Sequence, residues 1–291
     1  MLKNLFCAVA FIPFAAMTHA QDIVVGGKNF TEQLLLAEMT EQLLEANGFD
    51  VDKRDGLGST VLREAQLNGQ VDLYWEYTGT SLVTYNNVEE TLGPDETLAR
   101  VRELDGPQGL TWLEPSAANN TYAFAVADGA EETASIQTLS DLSAAFNNGS
   151  PLDIAVNAEF PRRADGLPGL QEAYGFEVGR RNLKSMDSGL TYQALNEGEV
   201  AVALVFATDG RIEAFGFRVL EDDQNYFPNY AIVPVVRTDT LEANPGLEAP
   251  LNAMAAAIDD ATMQRLNAQV DVERLSIEEV AENFLTEQGL I

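Results

Sequence analysis

The stretch Ile23-Val-Val-Gly-Gly-Lys28-Asn-Phe-Thr-Glu-Gln-Leu-Leu-Leu-Ala-Glu-Met39 sets the fold class. Ile23-Val24-Val25 is a short apolar, β-branched run that reads as a strand, and Gly26-Gly27 reads as the turn that leaves it. Asn29 stands at the N-cap position of a helix, with Glu32 three residues on as a variant of the capping box. Leu35, Met39, Leu43 and Ala46 then form one apolar stripe, and Gly48 ends the helix. A second unit runs from Gly58-Ser59 through Val61, Leu62, Ala65 and Leu67 to Gly69, with a strand from Val71.

The same alternation continues to the C-terminus. Strands are expected at 121–126, 153–156, 200–206 and 231–236, and helices at 139–146, 167–174, 190–196, 261–269 and 277–288. Short apolar runs alternating with helical patterns predict an α/β protein. One internal echo sharpens this. Ala65-Gln-Leu-Asn-Gly69-Gln-Val71 resembles Ala194-Leu-Asn-Glu-Gly198-Glu-Val200, and eight residues beyond each glycine stands an aromatic ring, Tyr77 and Phe206. Two lobes of similar build would each deliver a ring at the C-terminal end of a strand, where open α/β sheets place ligands. Chance is the competing reading, because helix-glycine-strand turns are common.

The chain has 291 residues, room for one large or two ordinary domains, and carries 46 Asp+Glu against 17 Lys+Arg. The resulting pI of about 4.1 excludes a basic face for nucleic acid and repels anionic lipid. Residues 1–20 read as a secretory signal: Lys3 at the start, an apolar run from Leu5 to Met17, and Thr18-His19-Ala20 as a small-x-small cleavage site before Gln21. Cleavage there removes Cys7 and His19, the single Cys and single His of the chain. The exported protein then has no disulfide, thiolate nucleophile, His-based triad, or His or Cys metal site.

Several motifs lead nowhere. Gly26-Gly27-Lys28-Asn29 lacks the spacing and the Ser/Thr of a phosphate-binding loop. Asp50-x-Asp52-x-Arg54-Asp55 has Arg at a ligand position and Asp where a calcium loop needs Gly. The pairs Glu89-Glu90 and Asp222-Asp223 read as solvated acidic faces. What remains is aromatic rings and fixed cations at element ends. Lys28 lies between a strand end and a helix start, where free N–H groups and the helix dipole favour an anion. Leu73, Trp75 and Tyr77 share a strand face, and Thr78-Gly79-Thr80 starts the next helix.

These residues resemble a known family. Gly26-Gly-Lys-Asn-Phe-Thr-Glu-Gln33 is similar to the opening of the glycine betaine/carnitine/choline substrate-binding proteins of osmoprotectant ABC transporters. Glu76-Tyr-Thr-Gly-Thr80, Asn120-Thr-Tyr122, Arg163-Ala-Asp-Gly166, Thr208-Asp-Gly-Arg211 and Phe227-Pro-Asn-Tyr230 follow in that family's order and at about its spacing.

The resemblance implies a two-lobed periplasmic-binding-protein fold of type II, with residues 21–122 and 230–291 in one lobe and 123–229 in the other. It places a cage for a quaternary ammonium on Tyr77, Tyr122, Phe206 and Tyr230, and a carboxylate clamp on Lys28, Thr80 and Arg163. Phe206 stands where the family usually has Tyr, and Trp75 where it often has Pro; Trp75 either enlarges the cage or packs in the core. The implied partners are a small zwitterionic or cationic solute and an ABC permease in the inner membrane, for a periplasmic monomer without cofactor. Glycine betaine is the first expectation, with carnitine, choline or a sulfonium zwitterion such as dimethylsulfoniopropionate beside it. A carboxylate-based exported enzyme and a ligand sensor on the same scaffold are the rival expectations.

Overall fold

Strand β1 (Ile23–Lys28) runs straight through the glycine pair expected to be a turn. The computed structural model describes residues 22–88, 90 and 92–291, so the expected signal segment 1–20 and Glu89 lie outside the described residues. The reason for Gly26 is close approach: a Cβ there would sit 2.5 Å from Leu62 Cδ1 and 2.8 Å from Val71 Cγ1. Helix α1 (Thr31–Ala46) begins only after an extended Phe30, and no side chain caps it. Glu32 is turned inward instead, and the expected capping box is absent. Leu35, Leu36, Met39, Leu43 and Leu44 are buried, whereas Ala46 is exposed, so the apolar face is wider than the stripe and ends earlier. Truncating one of these large residues to Ala costs about 2–5 kcal/mol.

The chain continues through β2 (Val51–Leu57), α2 (Ser59–Leu67) and β3 (Leu73–Tyr77), then a π-helical segment at Thr80–Tyr85, α3 (Pro94–Asp105) and β4 (Leu110–Trp112). Next come β5 (Tyr122–Ala127), α4 (Leu139–Asn147), β6 (Ile154–Asn157), α5 (Leu167–Tyr174), β7 (Leu183–Met186) and α6 (Ser188–Asn196). They are followed by β8 (Val202–Phe206), α7 (Arg211–Ala214), β9 (Phe217–Val219) and β10 (Ile232–Arg237). Helices α8 (Thr238–Ala243), α9 (Glu248–Ala256), α10 (Asp260–Asp271) and α11 (Ile277–Glu287) close the chain. Among the described residues no helix is long and apolar enough to cross a membrane.

The strands form two five-stranded sheets, ordered β2-β1-β3-β10-β4 and β7-β6-β8-β5-β9. Both repeat one pattern: three parallel strands, then an antiparallel fourth. The antiparallel strands β5 and β10 are the ones that lead the chain into the second sheet and back into the first. An antiparallel bridge between Asn119 and Ala231 ties the two connections together.

The internal echo is thus a real correspondence. Gly69 and Gly198 have φ of +71° and +70°, and each precedes the third strand of its sheet. Those strands, β3 and β8, end on Tyr77 and Phe206. Strand β3 is buried on both faces, Tyr74 and Glu76 included. The Trp75 indole donates to Thr40 Oγ1 at 2.8 Å within the core. Of the two places expected for Trp75 this is the core, because α1 covers this face of the strand.

Candidate functional site

The ends of β1, β3, β5 and β8 converge on one cavity of ≈ 60 Å³. On the same measure a single water needs roughly 10–15 Å³, so this is space for a small solute. Lys28, Tyr77, Thr80, Tyr122, Arg163, Phe206 and Tyr230 all border it, together with Phe30. Trp75 does not. Gly79 helps to shape the wall, since a Cβ there would lie 2.8 Å from both Asn229 O and Tyr230 Cε1.

The apolar side of the cavity is a continuous arc of rings. Phe30 stacks between Tyr77 at 6.2 Å and Phe206 at 5.5 Å between centroids. Phe206 touches Tyr122 at 5.3 Å, and Tyr122 meets the edge of Tyr230 at 5.5 Å. Antiparallel pairing of Tyr122 with Phe206 sets two of these rings side by side. Burial pushes the Tyr122 hydroxyl up to about 12 and lifts those of Tyr77 and Tyr230 well above the ordinary range, so all three remain neutral donors. Two ring faces already carry a cation of the protein: Lys28 Nζ lies 4.7 Å from the Tyr77 centroid, and Arg163 Cζ 5.5 Å from that of Tyr122.

The cations that border the cavity are each already matched with an acid. Lys28 Nζ donates to Glu76 Oε1 at 2.5 Å, and both side chains are buried. Desolvation lowers the Lys28 pKa, with Glu76 opposing the shift. Arg163 grips Asp165 with Nε at 2.8 Å and Nη2 at 2.5 Å, and Nη2 also reaches Thr80 Oγ1 at 3.2 Å. Asp165 in turn accepts from the Tyr230 hydroxyl at 2.7 Å, which fixes that ring. Donors are left over: among the described residues, Glu76 is the one partner of Lys28 Nζ, and Arg163 Nη1 has nothing nearer than Glu159 at 4.0 Å. Thr80 Oγ1 accepts from Arg163, which frees its own proton for an anion in the cavity.

Behind the rings lies a buried polar network centred on Glu32. Its carboxylate accepts from the Tyr77 hydroxyl at 2.7 Å, Asn120 Nδ2 at 2.6 Å, Thr208 Oγ1 at 2.5 Å and Asn267 Nδ2 at 3.5 Å. Desolvation raises the Glu32 pKa against the pull of these donors. Sequence reasoning overlooked Phe30, Glu32, Glu76 and Asp165 as members of the site, although each lies inside a quoted motif. Asp222, read as a solvated acid, accepts from the backbone nitrogens of Tyr226 and Phe227 and so shapes the loop leading to Tyr230. No group of three His, Cys, Asp or Glu among the described residues could hold a metal ion.

Residues 21–287 match the substrate-binding domain of ABC-type glycine betaine transport systems. The chain is 41% identical to a glycine-betaine-binding protein of Pseudomonas aeruginosa, over 100% of this chain and 96% of that one. It is 35% identical to the glycine betaine-binding protein YehZ of Escherichia coli, over 93% and 92% of the two. The solved apo form of YehZ superposes with a TM-score of 0.67, covering 94% of this chain and all of that one. A glycine betaine/carnitine/choline ABC transporter structure, 28% identical, gives 0.73 over 92% and 99% of the two chains.

Proposed function

The chain belongs to the family of substrate-binding domains of ABC-type glycine betaine transport systems, and from that premise we propose that it captures a quaternary-ammonium or sulfonium compatible solute, glycine betaine before the others. Its fold is the two-lobed periplasmic-binding-protein fold of type II. As a substrate-binding component it takes a small solute and delivers it to an ABC permease, and family membership sets aside the rival reading as an enzyme.

One observation carries the ligand assignment: an arc of rings and spare cationic donors border the same small cavity. A trimethylammonium group offers no hydrogen-bond donor, so ring faces are its best partners, each contributing about 0.5–2 kcal/mol. A carboxylate wants charge-assisted donors. Tyr77, Tyr122, Phe206 and Tyr230, with Phe30 added, take the cation; Lys28, Thr80 and Arg163 take the acid. The lobes divide as 21–122 with 230–291 and 123–229. A ligand that touches both lobes only when they are closed shifts the population toward the closed form. In this reading residues 1–20 are a cleaved export signal and the protein works as a periplasmic monomer.

Choline is the second reading. Lys28 and Arg163 already have Glu76 and Asp165 as counter-ions, so a ligand without a carboxylate leaves neither cation unpaired. Isothermal titration of the purified protein with glycine betaine, carnitine, choline and dimethylsulfoniopropionate separates the cases. Tight binding of the zwitterions with weak binding of choline is expected, and silence from all four would overturn the proposal.

A further inference from the structure

Among the described residues, every buried cation around the cavity has an acid, and one buried acid has no cation. Lys28 is matched by Glu76, Arg163 by Asp165, and Arg211 by Asp209 at 2.5 Å and Asp271 at 3.1 Å. Among the described residues, no Lys or Arg nitrogen lies within the 4.0 Å ion-pair distance of the Glu32 carboxylate. Yet Glu32 is only 3% exposed.

Its neighbours fit the ionised form. All of them can donate to it, the Asn120 and Asn267 amide nitrogens can do nothing else, and the Tyr77 hydroxyl accepts from Gln33 Nε2 at 3.0 Å with its proton left for Glu32. A buried carboxylate surrounded by neutral donors is tolerated, but the charge is unbalanced until a cation arrives. Glu32 itself borders a smaller space of ≈ 20 Å³ that shares Phe30, Asn120 and Phe206 with the aromatic cavity, and the Tyr77 ring of that cavity hangs on the carboxylate by its hydroxyl.

We infer that Glu32 is the fixed counter-charge for the cationic head of the ligand, acting from behind the cage and through the Tyr77 hydroxyl, and that it sets the preference for a charged head over a neutral head of the same shape. The inference rests on the reading of the cavity as a quaternary-ammonium site. Glu32 is a specificity-determining residue that never touches the ligand. Its bond to Thr208, which follows β8, also ties helix α1 beside the first sheet to the second sheet. The charge and the closed arrangement of the cavity therefore come together.

The test uses pairs of ligands that differ only in the head: glycine betaine against the anion of tert-butylacetic acid, and choline against its tert-butyl analogue. Calorimetry on the wild-type protein should show the ammonium member preferred in each pair. Glu32→Gln should cut that preference on the order of tenfold, while Glu32→Asp, which keeps the charge, should retain most of it. If Glu32→Gln weakens both members of a pair equally, the role is structural and the inference falls. Should Glu32→Gln fail to fold, Tyr77→Phe removes the bridging hydroxyl but keeps ring and carboxylate, and the preference should drop by about threefold. An unchanged preference there would also overturn the inference. Failure of the wild-type protein to bind any quaternary ammonium would remove the site reading as well, whereas binding with a preference indifferent to Glu32 removes this inference alone.

Discussion

The Glu159 carboxylate accepts hydrogen bonds from both the backbone nitrogen and the hydroxyl of Ser59, at 3.0 and 2.8 Å, although the two residues are 100 apart in sequence. Ser59 opens α2 beside the first sheet, and Glu159 follows β6 in the second. The link therefore spans the cavity at its rim, with a carboxylate seated at a helix N-terminus where the dipole favours it.

Glu159→Ala should open this link without touching the rings. A partly exposed bond of this kind contributes about 1 kcal/mol to the closed form, so ligand affinity should fall about fivefold, chiefly through faster release. Stopped-flow dissociation of glycine betaine measures it. An unchanged release rate would show that the link does not hold the cavity shut.

Arg163→Ala should weaken glycine betaine by about thirtyfold and choline much less, because only the zwitterion uses the spare guanidinium donors. The substitution also strips Asp165 of its cation, which leaves a negative charge that favours a cationic ligand. Parallel titrations decide the matter. Equal losses for the two ligands would contradict the clamp.

Phe30→Ala should remove the central panel of the arc. Phe30 stacks on both Tyr77 and Phe206, so its loss costs about 0.5–2 kcal/mol of cation binding and leaves those two rings less well held. Calorimetry should register a drop of about tenfold with little change in the ratio of betaine to choline. A selective loss of one ligand would place Phe30 at the other end of the solute.

Asp105→Asn tests the support beneath Thr80. Buried Asp105 pairs with Arg63 at 2.6 Å and accepts from Ser81 Oγ and Trp112 Nε1, both at 2.8 Å. Ser81 lies in the π-helical segment that carries Thr80. Breaking a buried ion pair on one side costs about 3–5 kcal/mol, which urea unfolding would show as a lowered midpoint. A stability within error of wild type would rule out this pair as the anchor of the segment.

Stability should also report Glu32 through pH. Burial raises its folded pKa above the ordinary 4.5. Between 4.5 and the raised value the folded chain keeps a proton that the unfolded chain has released. This contribution is fully present below 4.5 and is lost as pH climbs through the raised value. The wild-type minus Glu32→Gln difference in unfolding free energy should therefore fall with rising pH across that window. Asp271, also raised by burial, is present in both proteins and cancels. Affinity for a cationic head should rise over the same interval.

Much of this molecule was legible because its signals are local. The helix-glycine-strand echo depends on a few adjacent residues, and it located the ends of β3 and β8 with their rings. The glycine pair misled for the opposite reason. Gly26 is set by Leu62 and Val71, which sequence spacing cannot see. Strand β2 was missed because its sequence, VDKRDGL, lies at a sheet edge and shows no apolar alternation. Glu32 fitted a capping pattern locally, whereas its partners lie at 77, 120, 208 and 267, contacts that only the folded chain creates.

A crystal structure of the protein with glycine betaine tests the central claim most directly. The trimethylammonium group should lie against Phe30, Tyr77, Tyr122, Phe206 and Tyr230, with its carboxylate on Lys28 Nζ, Thr80 Oγ1 and Arg163 Nη1. A ligand seated outside this cavity, or turned with its carboxylate into the rings, would contradict the account.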